Sequence, residues 1–280
     1  MSNKIMTAAT ETAAIVPEIW SAKFYDVLRD RLPFIDSVDQ SYTGEIQNLG
    51  DTVNISTVPE FDQATLLAEG AAGDADAVTI TSQALVINSR AFKDVIITKK
   101  AQLQSLSFMD KLRDNMIFAI QKKMQADIIT AIVPSASDPD NTIAYDAGST
   151  LALADILEAK ELLDTQNVSE DMRVCVLGAA QWNDIFNITG FVSRDYIPAG
   201  SPLTSGSIPT PLAGFMPRMT NVVSSTSYFF HPSFLTLAIQ QQLNIELFNL
   251  GADGVRGSRL NMDVLYGIKQ LDDERVVTIA

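Results

Sequence analysis

Residues 107–132 read SFMDKLRDNMIFAIQKKMQADIITAI and predict one long amphipathic helix. Their apolar side chains recur at steps of three and four residues, which places them along one stripe of a helix. Ser107 and Asp110 form a capping-box-like start, and Pro134 ends the helix. At about 1.5 Å per residue, roughly 26 residues span about 39 Å, longer than most globular domains need. The opposite face carries four bases: Lys111, Arg113, Lys122 and Lys123.

The composition limits the classes of function open to the chain. Its 280 residues, 46% of them hydrophobic, can bury one large core or two. One cysteine and one histidine exclude an internal disulfide and a Cys/His zinc site within one chain, and they suit a reducing cytoplasm. The sequence contains no apolar run long enough to span a membrane and no secretory signal. A net charge of −14 argues against direct binding to the phosphates of nucleic acid, but it does not argue against enclosing nucleic acid.

Charged residues form two blocks of opposite sign. Residues 32–89 contain nine acids and no base, whereas residues 90–123 contain eight bases and three acids. The blocks are a coincidence, a contact within one chain, or an acidic arm of one copy lying on a basic helix of the next. The third alternative gives these candidates for contact between subunits: Glu60, Asp62, Glu69, Asp74, Asp76, Arg90, Lys93, Lys111, Arg113, Lys122 and Lys123.

A long two-stranded β-hairpin is predicted ahead of the helix. Residues 51–58 alternate between apolar and polar as a strand does, and the return arm is expected between residues 78 and 98. Between the arms, the stretch LLAEGAAGDADA at 66–77 predicts a mobile tip. Because an isolated hairpin is marginal in water, it needs a partner surface.

The second half of the chain predicts a compact α/β unit followed by strands. The predicted elements are a helix from Ser149 or Thr150 to Thr165, a strand at 173–177, a helix at 179–188, and strands at 221–224, 234–240, 243–248, 260–268 and 275–279. Asn167 is expected to stop the first helix in the left-handed conformation. Residues 196–245 contain a single charged residue, Arg218, which predicts either burial or an interface.

The residues available for catalysis are few, and they predict no enzyme, no cofactor and no metal. A Ser–His–Asp triad would have to use His231, and no Gly-x-Ser-x-Gly turn presents a serine. Cys175 lies among valine and leucine, which predicts an inert buried thiol. The glycines at 70–73 and 200–206 lack the Gly-Lys-Ser/Thr of a phosphate loop, and residues 138–141 lack the glycine and glutamate of a calcium loop.

Four stretches carry a family resemblance: IVPEIWSAK at 15–23, YTGEIQNLGDTVNI at 42–55, AKELLDTQNV at 159–168 and VCVLGAAQW at 174–182. In this order they resemble the major capsid proteins of tailed bacteriophages with the Hong Kong 97-type fold. The likeness extends over nearly the whole chain and ends in a strand that contains Tyr266 and Gly267. The motifs are short, so their order and spacing carry the resemblance.

The resemblance implies an α+β capsid fold in five parts. These are an N-terminal arm with a short helix at 1–49, an extended β-hairpin loop at 50–98, a peripheral domain with a long spine helix at 99–147, an axial α/β domain at 148–250, and C-terminal strands at 251–280 that return to the axial and peripheral core. Such a chain assembles into pentamers and hexamers of an icosahedral shell that encloses double-stranded DNA without sequence-specific binding. Its expected location is the virion, after assembly in the host bacterial cytoplasm.

The resemblance also bears on partners. It implies self-association, with scaffolding, portal and decoration proteins as further partners and no membrane. The type member cross-links its subunits through a lysine on the extended loop, but residues 60–78 contain none. The arm begins within about 16 residues, so a separate scaffolding protein, or none, is implied. The alternatives are an encapsulin-like compartment shell and a soluble hydrolase with an unrecognised site.

Overall fold

A computed structural model describes residues 29–43, 52–59, 77–98, 108–137, 139–146, 150–188, 211–249 and 257–280, with residues 61, 63, 64, 66, 69, 148 and 208. Its strands are β1 (Thr52–Thr57), β2 (Thr81–Val86), β3 (Ser89–Thr98), β4 (Thr142–Ile143), β5 (Val174–Gly178), β6 (Met216–Thr220), β7 (Ser227–Phe230), β8 (Leu235–Asn249), β9 (Gly257–Gln270) and β10 (Val276–Ile279). Its helices are α1 (Phe108–Ala131), α2 (Leu153–Thr165) and α3 (Ala179–Asp184), with 3₁₀ turns at Ile185–Asn187 and Pro232–Phe234.

The strands form three sheets within these ranges. β1 and β2 make a two-stranded ribbon, and β3, β9 and β8 make a three-stranded antiparallel sheet in that order. The five-stranded sheet has the order β4-β10-β7-β5-β6. Helix α1 packs across β3 and β9, and α2 packs against the five-stranded sheet. The α+β fold class expected from the sequence is therefore confirmed.

The long helix lies where its periodicity predicts. α1 covers 108–131, and its apolar stripe of Met116, Ile120, Met124 and Ile128 is buried in one large core cluster. The same cluster contains alternate residues of β9 from Leu260 to Tyr266, because successive side chains of a strand point to opposite faces. The predicted cap at Ser107 lies outside the described residues.

The central strands of the five-stranded sheet are buried on both faces. Val174 and Val176 of β5 join the core under α1, whereas Cys175 and Leu177 join a second cluster under α2. The wholly apolar sequence of β5 follows from this position, since a strand covered on both faces has no polar side. Asn167 ends α2 with a φ of 56°, as predicted.

The start of α2 differs from the prediction. The helix begins after Ala152 rather than at Ser149 or Thr150, and the Asp155 carboxylate accepts a hydrogen bond of 2.8 Å from the Ala152 N–H. An acid in the first turn therefore accepts from the N–H of the residue just ahead of the helix, and no side chain at that residue caps the helix as a Ser or Thr hydroxyl would.

Two strand predictions are wrong. The hairpin does not continue to Thr98, because β3 leaves the ribbon and pairs with β9 over its whole length. No strand forms at 221–224, which is a turn between β6 and β7. β6, which contains Pro217, is an edge strand, where a missing N–H leaves no neighbour unpaired.

The strands predicted at 234–240 and 243–248 are a single strand, β8, with irregular pairing near its middle. β8 lies beside β9 in the three-stranded sheet, and the division of the chain into five parts stays a prediction. Within the charge-poor stretch 196–245, β7 and the start of β8 are fully buried, with Phe229, Phe230 and Leu235 at 0% exposure. The interpretation of this stretch as core holds for those strands.

Candidate inter-subunit surfaces

The β1–β2 ribbon leaves apolar side chains without a covering layer. Its two strands pair in register from Thr52 opposite Val86 to Thr57 opposite Thr81. Beyond them the described apolar residues are exposed: Val58, Phe61, Leu66, Val78 and Ile80. Exposed apolar groups on a projecting two-stranded ribbon mark a contact site, because such a ribbon is marginal in water by itself.

The base of the ribbon is seated on the three-stranded sheet, on the side away from α1. Leu85 packs with Ala238 and Leu265 in a small cluster that is separate from the core under α1. At Gly267 a Cβ atom would lie 2.5 Å from the carbonyl oxygen of Val86, so only glycine lets the two backbones approach this closely. The ribbon therefore leaves the molecule from the face of the sheet opposite α1.

That face, called here the outward face, was missed by sequence reasoning. It carries Arg90, Phe92, Asp94 and Ile96 of β3, Arg259, Asn261, Asp263 and Leu265 of β9, and Phe248 of β8. Phe92 is 67% exposed, Ile96 59% and Phe248 48%. The available signal was the alternation of β3, which places Phe92 and Ile96 on the same side of the strand as two charged residues.

Three of the basic candidates contact acids of their own chain. Lys122 Nζ lies 2.6 Å from Asp30 Oδ2, Lys123 Nζ lies 2.5 Å from Asp127 Oδ1, and Arg90 pairs with Asp263. Lys93 is exposed on β3, Lys111 is half-buried on α1, and Arg113 is exposed on α1. The helix therefore presents less net positive charge to a neighbour than its sequence indicates.

The acidic candidates fall between residues 60 and 76 of the predicted hairpin. Glu69 is exposed, and Glu60, Asp62, Asp74 and Asp76 lie outside the described residues. The pairing of an acidic tip with a basic helix therefore stays a prediction.

Residues 29–36, called here the strap, lie ahead of β1 in the chain and connect α1 to the end of β6. Arg29 donates to the Asn115 side chain at 3.0 Å, and Asp30 accepts hydrogen bonds from both Lys122 and Asn221. The Lys122 hydrogen bond is the main cause that holds the pKa of Asp30 below its usual value. No sequence pattern indicated this bridge, because its partners lie far apart along the chain.

The candidate catalytic residues are structural. Cys175 is completely buried, and burial raises the pKa of its thiol, which leaves it unreactive. His231 Nδ1 lies 2.7 Å from the Ser233 hydroxyl at the start of a 3₁₀ turn, and burial followed by the charge of Arg275 lowers the pKa of the imidazole.

Other sites for small ligands are poorly developed in the described part of the chain. A groove of about 250 Å³ between the strap and α1 is lined by Asp30, Leu32, Ile35, Asp36, Phe118 and Gln121, with no histidine or cysteine. No cluster of three or more His, Cys, Asp or Glu residues suited to a metal ion occurs among these residues. None of the described helices combines the length and apolarity needed to span a membrane.

Comparisons with known proteins identify the family of the chain. A family model described as phage capsid protein matches residues 52–280. No curated protein matches the chain significantly.

Solved structures of similar fold come from several phages. A Mycobacterium phage Che8 structure has a TM-score of 0.74 and 22% identity over 94% of this chain and 96% of its own. The capsid structure of cyanophage P-SCSP1u has a TM-score of 0.78 and 14% identity over 97% of this chain and 94% of its own. The capsid structure of cyanophage Pam1 has a TM-score of 0.74 and 15% identity over 100% of this chain and 98% of its own. These likenesses establish the fold.

The match to the family model decides between the alternatives left open by the sequence. It covers most of the chain, including all three sheets, and it favours a phage capsid over a cellular compartment shell or a hydrolase. The chain belongs to the phage capsid protein family: it is a structural protein of the virion shell, with the Hong Kong 97-type fold, and it associates with copies of itself.

Proposed function

We propose that this chain is the major shell subunit and that it assembles into pentamers and hexamers of a closed icosahedral shell around double-stranded DNA. The observation that carries this proposal is the exposed apolar ribbon. Val58, Phe61 and Ile80, which follow β1 or precede β2 in the chain, are each more than half exposed. The ribbon itself has no second layer of its own among the described residues. Burying such a surface against a neighbouring copy supplies a driving force for assembly.

The charge of the chain supports enclosure of DNA rather than binding to it. With a net charge of −14, the subunit repels phosphate on average. A wall of such subunits lets packaged DNA slide during filling, because few contacts would hold it in place.

Further partners follow from the same role. Scaffolding, portal and decoration proteins are the additional partners that we propose, with assembly in the host bacterial cytoplasm. Residues 60–78 contain no lysine, so this loop lacks the amine that a lysine cross-link requires. The contacts of the loop are therefore non-covalent in this proposal.

Sizing and imaging of the purified protein test the proposal. The expected result is material far larger than the 30.5 kDa chain on a sizing column, and closed round particles in electron micrographs. A chain that stays monomeric under all assembly conditions, with or without co-expressed scaffolding protein, would contradict a shell role.

The predicted charge pairing has its own test. Changing Glu69, Asp74 and Asp76 together to lysine is expected to slow assembly at least several-fold, because attraction between the acidic tip and the basic block of a neighbour would be lost. Light scattering measures the rate, and the defect should be larger at low salt, where screening is weak.

A matched control reverses three exposed acids on and after α2, namely Glu158, Glu161 and Asp171. This control makes the same change in net charge away from the hairpin and should assemble at the parent rate. Equal rates for the hairpin variant and the parent would refute the pairing while leaving the shell role intact.

A further inference from the structure

We propose that the crossing between the five-stranded and the three-stranded sheet is a pH-dependent switch, which is rigid while His231 is neutral and is loosened when the imidazole takes up a proton. The crossing consists of a first segment, residues 231–234, and a second segment, residues 271–275. Loosening it frees the angle between the two sheets. The switch belongs to the single subunit and does not depend on how subunits are arranged in a shell.

The two segments pass side by side from one sheet to the other. β7 continues through the first segment into β8, and β9 continues through the second segment into β10. Phe230 is opposite Val276 on the five-stranded side, and Leu235 is opposite Gln270 on the three-stranded side. The backbone conformation of these two short segments therefore helps to set the angle between the sheets.

Backbone hydrogen bonds join the two segments. The His231 N–H donates to the Arg275 carbonyl at 3.1 Å, and the Leu271 N–H donates to the Phe234 carbonyl at 2.8 Å. The Phe234 carbonyl also accepts from the Asp272 N–H at 3.2 Å. Two of these bonds end on one carbonyl, so they depend on the 3₁₀ turn of the first segment, which fixes the direction of that carbonyl.

The imidazole of His231 caps this 3₁₀ turn in its neutral form. Its Nδ1 accepts a hydrogen bond of 3.3 Å from the Ser233 N–H. The Ser233 hydroxyl lies 2.7 Å from the same nitrogen and accepts from Arg275 Nη1 at 2.7 Å, so its own proton points to Nδ1. A nitrogen that accepts from two donors carries no proton, which places the imidazole proton on Nε2.

Protonation removes this cap. A proton on Nδ1 turns the nitrogen from an acceptor into a donor, and the Ser233 N–H then loses its acceptor. The Ser233 hydroxyl would face donors from both the imidazolium and Arg275, two positively charged groups. The ring therefore leaves the turn, and the hydrogen bonds that end on the Phe234 carbonyl lose the conformation that supports them.

The surroundings of His231 favour the neutral imidazole. Burial is the main cause that lowers its pKa, the charges of Arg275 and then Arg173 lower the pKa further, and Asp171 acts in the opposite direction. The stabilising contribution of the neutral cap is therefore present above the ordinary pKa of about 6.5 and is lost as the pH falls towards the folded value.

The other acids near the crossing have partners or face solvent. Asp272 is paired with the arginine of the second segment. Asp39, whose N–H donates to the carbonyl of Pro232, has both carboxylate oxygens hydrogen-bonded to Ser41. The two remaining acids of the second segment, at 273 and 274, are exposed. Among the described residues, none of these four acids is hydrogen-bonded to the imidazole, so none holds the added proton in place.

The protonation of the switch can be followed directly, because the chain has one histidine. NMR of the full-length, unassembled subunit yields a single set of imidazole signals, and their shift with pH gives the titration midpoint of His231. The expected midpoint lies below the ordinary value of about 6.5. A midpoint at or above that value would overturn the inference, because the cap would then not favour the neutral ring.

Hydrogen exchange of the peptides that contain the two segments measures the loosening. Their protection, corrected for the intrinsic effect of pH on exchange, is expected to fall at least tenfold between pH 8 and one pH unit below the measured midpoint. Peptides from α1 serve as the internal control and should keep their protection. Unchanged protection of both segments at a pH where NMR shows a protonated imidazole would overturn the inference, and this outcome requires no variant.

The matched variant is His231→Asn. The carboxamide oxygen of asparagine accepts from the N–H two residues further on, as Nδ1 does, but it does not titrate. This variant is expected to keep below the midpoint the protection that the parent has at pH 8. A tenfold fall in the variant as well would overturn the inference, because acid would then act through another group, such as Asp272.

A distance measurement tests whether the angle between the sheets is freed. Spin labels are attached at Ala126→Cys on α1 and Glu158→Cys on α2, two exposed positions, whereas Cys175 is completely buried and does not react. The distance distribution is expected to be broader below the midpoint than at pH 8, and to be the same at both in a His231→Asn background. An unchanged distribution in the labelled parent would overturn the inference.

Discussion

Replacing Arg173 with leucine is expected to lower the free energy of unfolding of the unassembled subunit by about 3 kcal/mol. The side chain is 2% exposed, and its Nη1 lies 2.7 Å from Asp164 Oδ1. Its Nε donates to the Ser169 carbonyl at 2.8 Å, and its Nη2 donates to the Val168 carbonyl at 2.6 Å. One guanidinium therefore holds the whole turn between α2 and β5.

Leucine fills much of the volume but donates no hydrogen bond. Two backbone carbonyls would lose this donor together, and the Asp164 carboxylate would keep only Lys160. Removing one side of a buried polar network costs more than the network contributes net. Arg173→Lys should recover only part of the loss, because an ammonium cannot reproduce the planar fork that spans three acceptors.

Urea unfolding at low protein concentration, where subunits stay apart, measures this change. The control is Arg275→Leu, since Arg275 is 44% exposed in its pair with Asp272 and should cost less than about 1 kcal/mol. Equal losses for the two variants would show that burial at Arg173 is not the cause.

Local sequence patterns were sufficient where neighbours along the chain decide the structure. The apolar stripe of α1 predicted the helix to within one residue at its C-terminal end. Asn167 could be assigned as a helix stop because few residues other than glycine adopt positive φ at low cost. Burial of Cys175 followed from a strand with no polar side.

Patterns failed where the partner is distant. Nothing in β3 itself indicates that it pairs with β9 rather than with β1, because alternation is the same in both arrangements and the register runs from Ser89 opposite Tyr266. The outward face was missed for the same reason: Phe92 and Phe248 are brought onto one surface by pairing through β9. Likewise, the charge of Lys122 could be counted from sequence, but its contact with Asp30 depends on tertiary structure.

Asn141 connects the segment after α1 to the last strand, β10. Asn141 is fully buried, and its Nδ2 lies 3.0 Å from the Val276 carbonyl, 3.1 Å from the Glu274 carbonyl and 3.2 Å from Gln166 Oε1. Gln166 Nε2 donates back to Asn141 Oδ1 at 3.1 Å. The amide therefore connects the approach to β4, the entry to β10 and the end of α2.

Asn141→Leu is expected to cost about 3 kcal/mol, because the buried carbonyls lose a donor that nothing nearby replaces. Asn141→Asp keeps the shape but places a carboxylate against carbonyl oxygens, so the folded state favours the protonated acid and raises its pKa above the unfolded value. The native state then binds more protons than the unfolded state, and stability must fall as pH rises through that interval.

Urea unfolding should show Asn141→Asp far less stable than the parent at pH 7 and partly recovered at pH 5. The control Asn183→Asp, at an exposed position on α3, should have the stability of the parent at both pH values. No loss of stability for Asn141→Asp at either pH would mean that shape, and not the donated hydrogen bonds, holds this joint together.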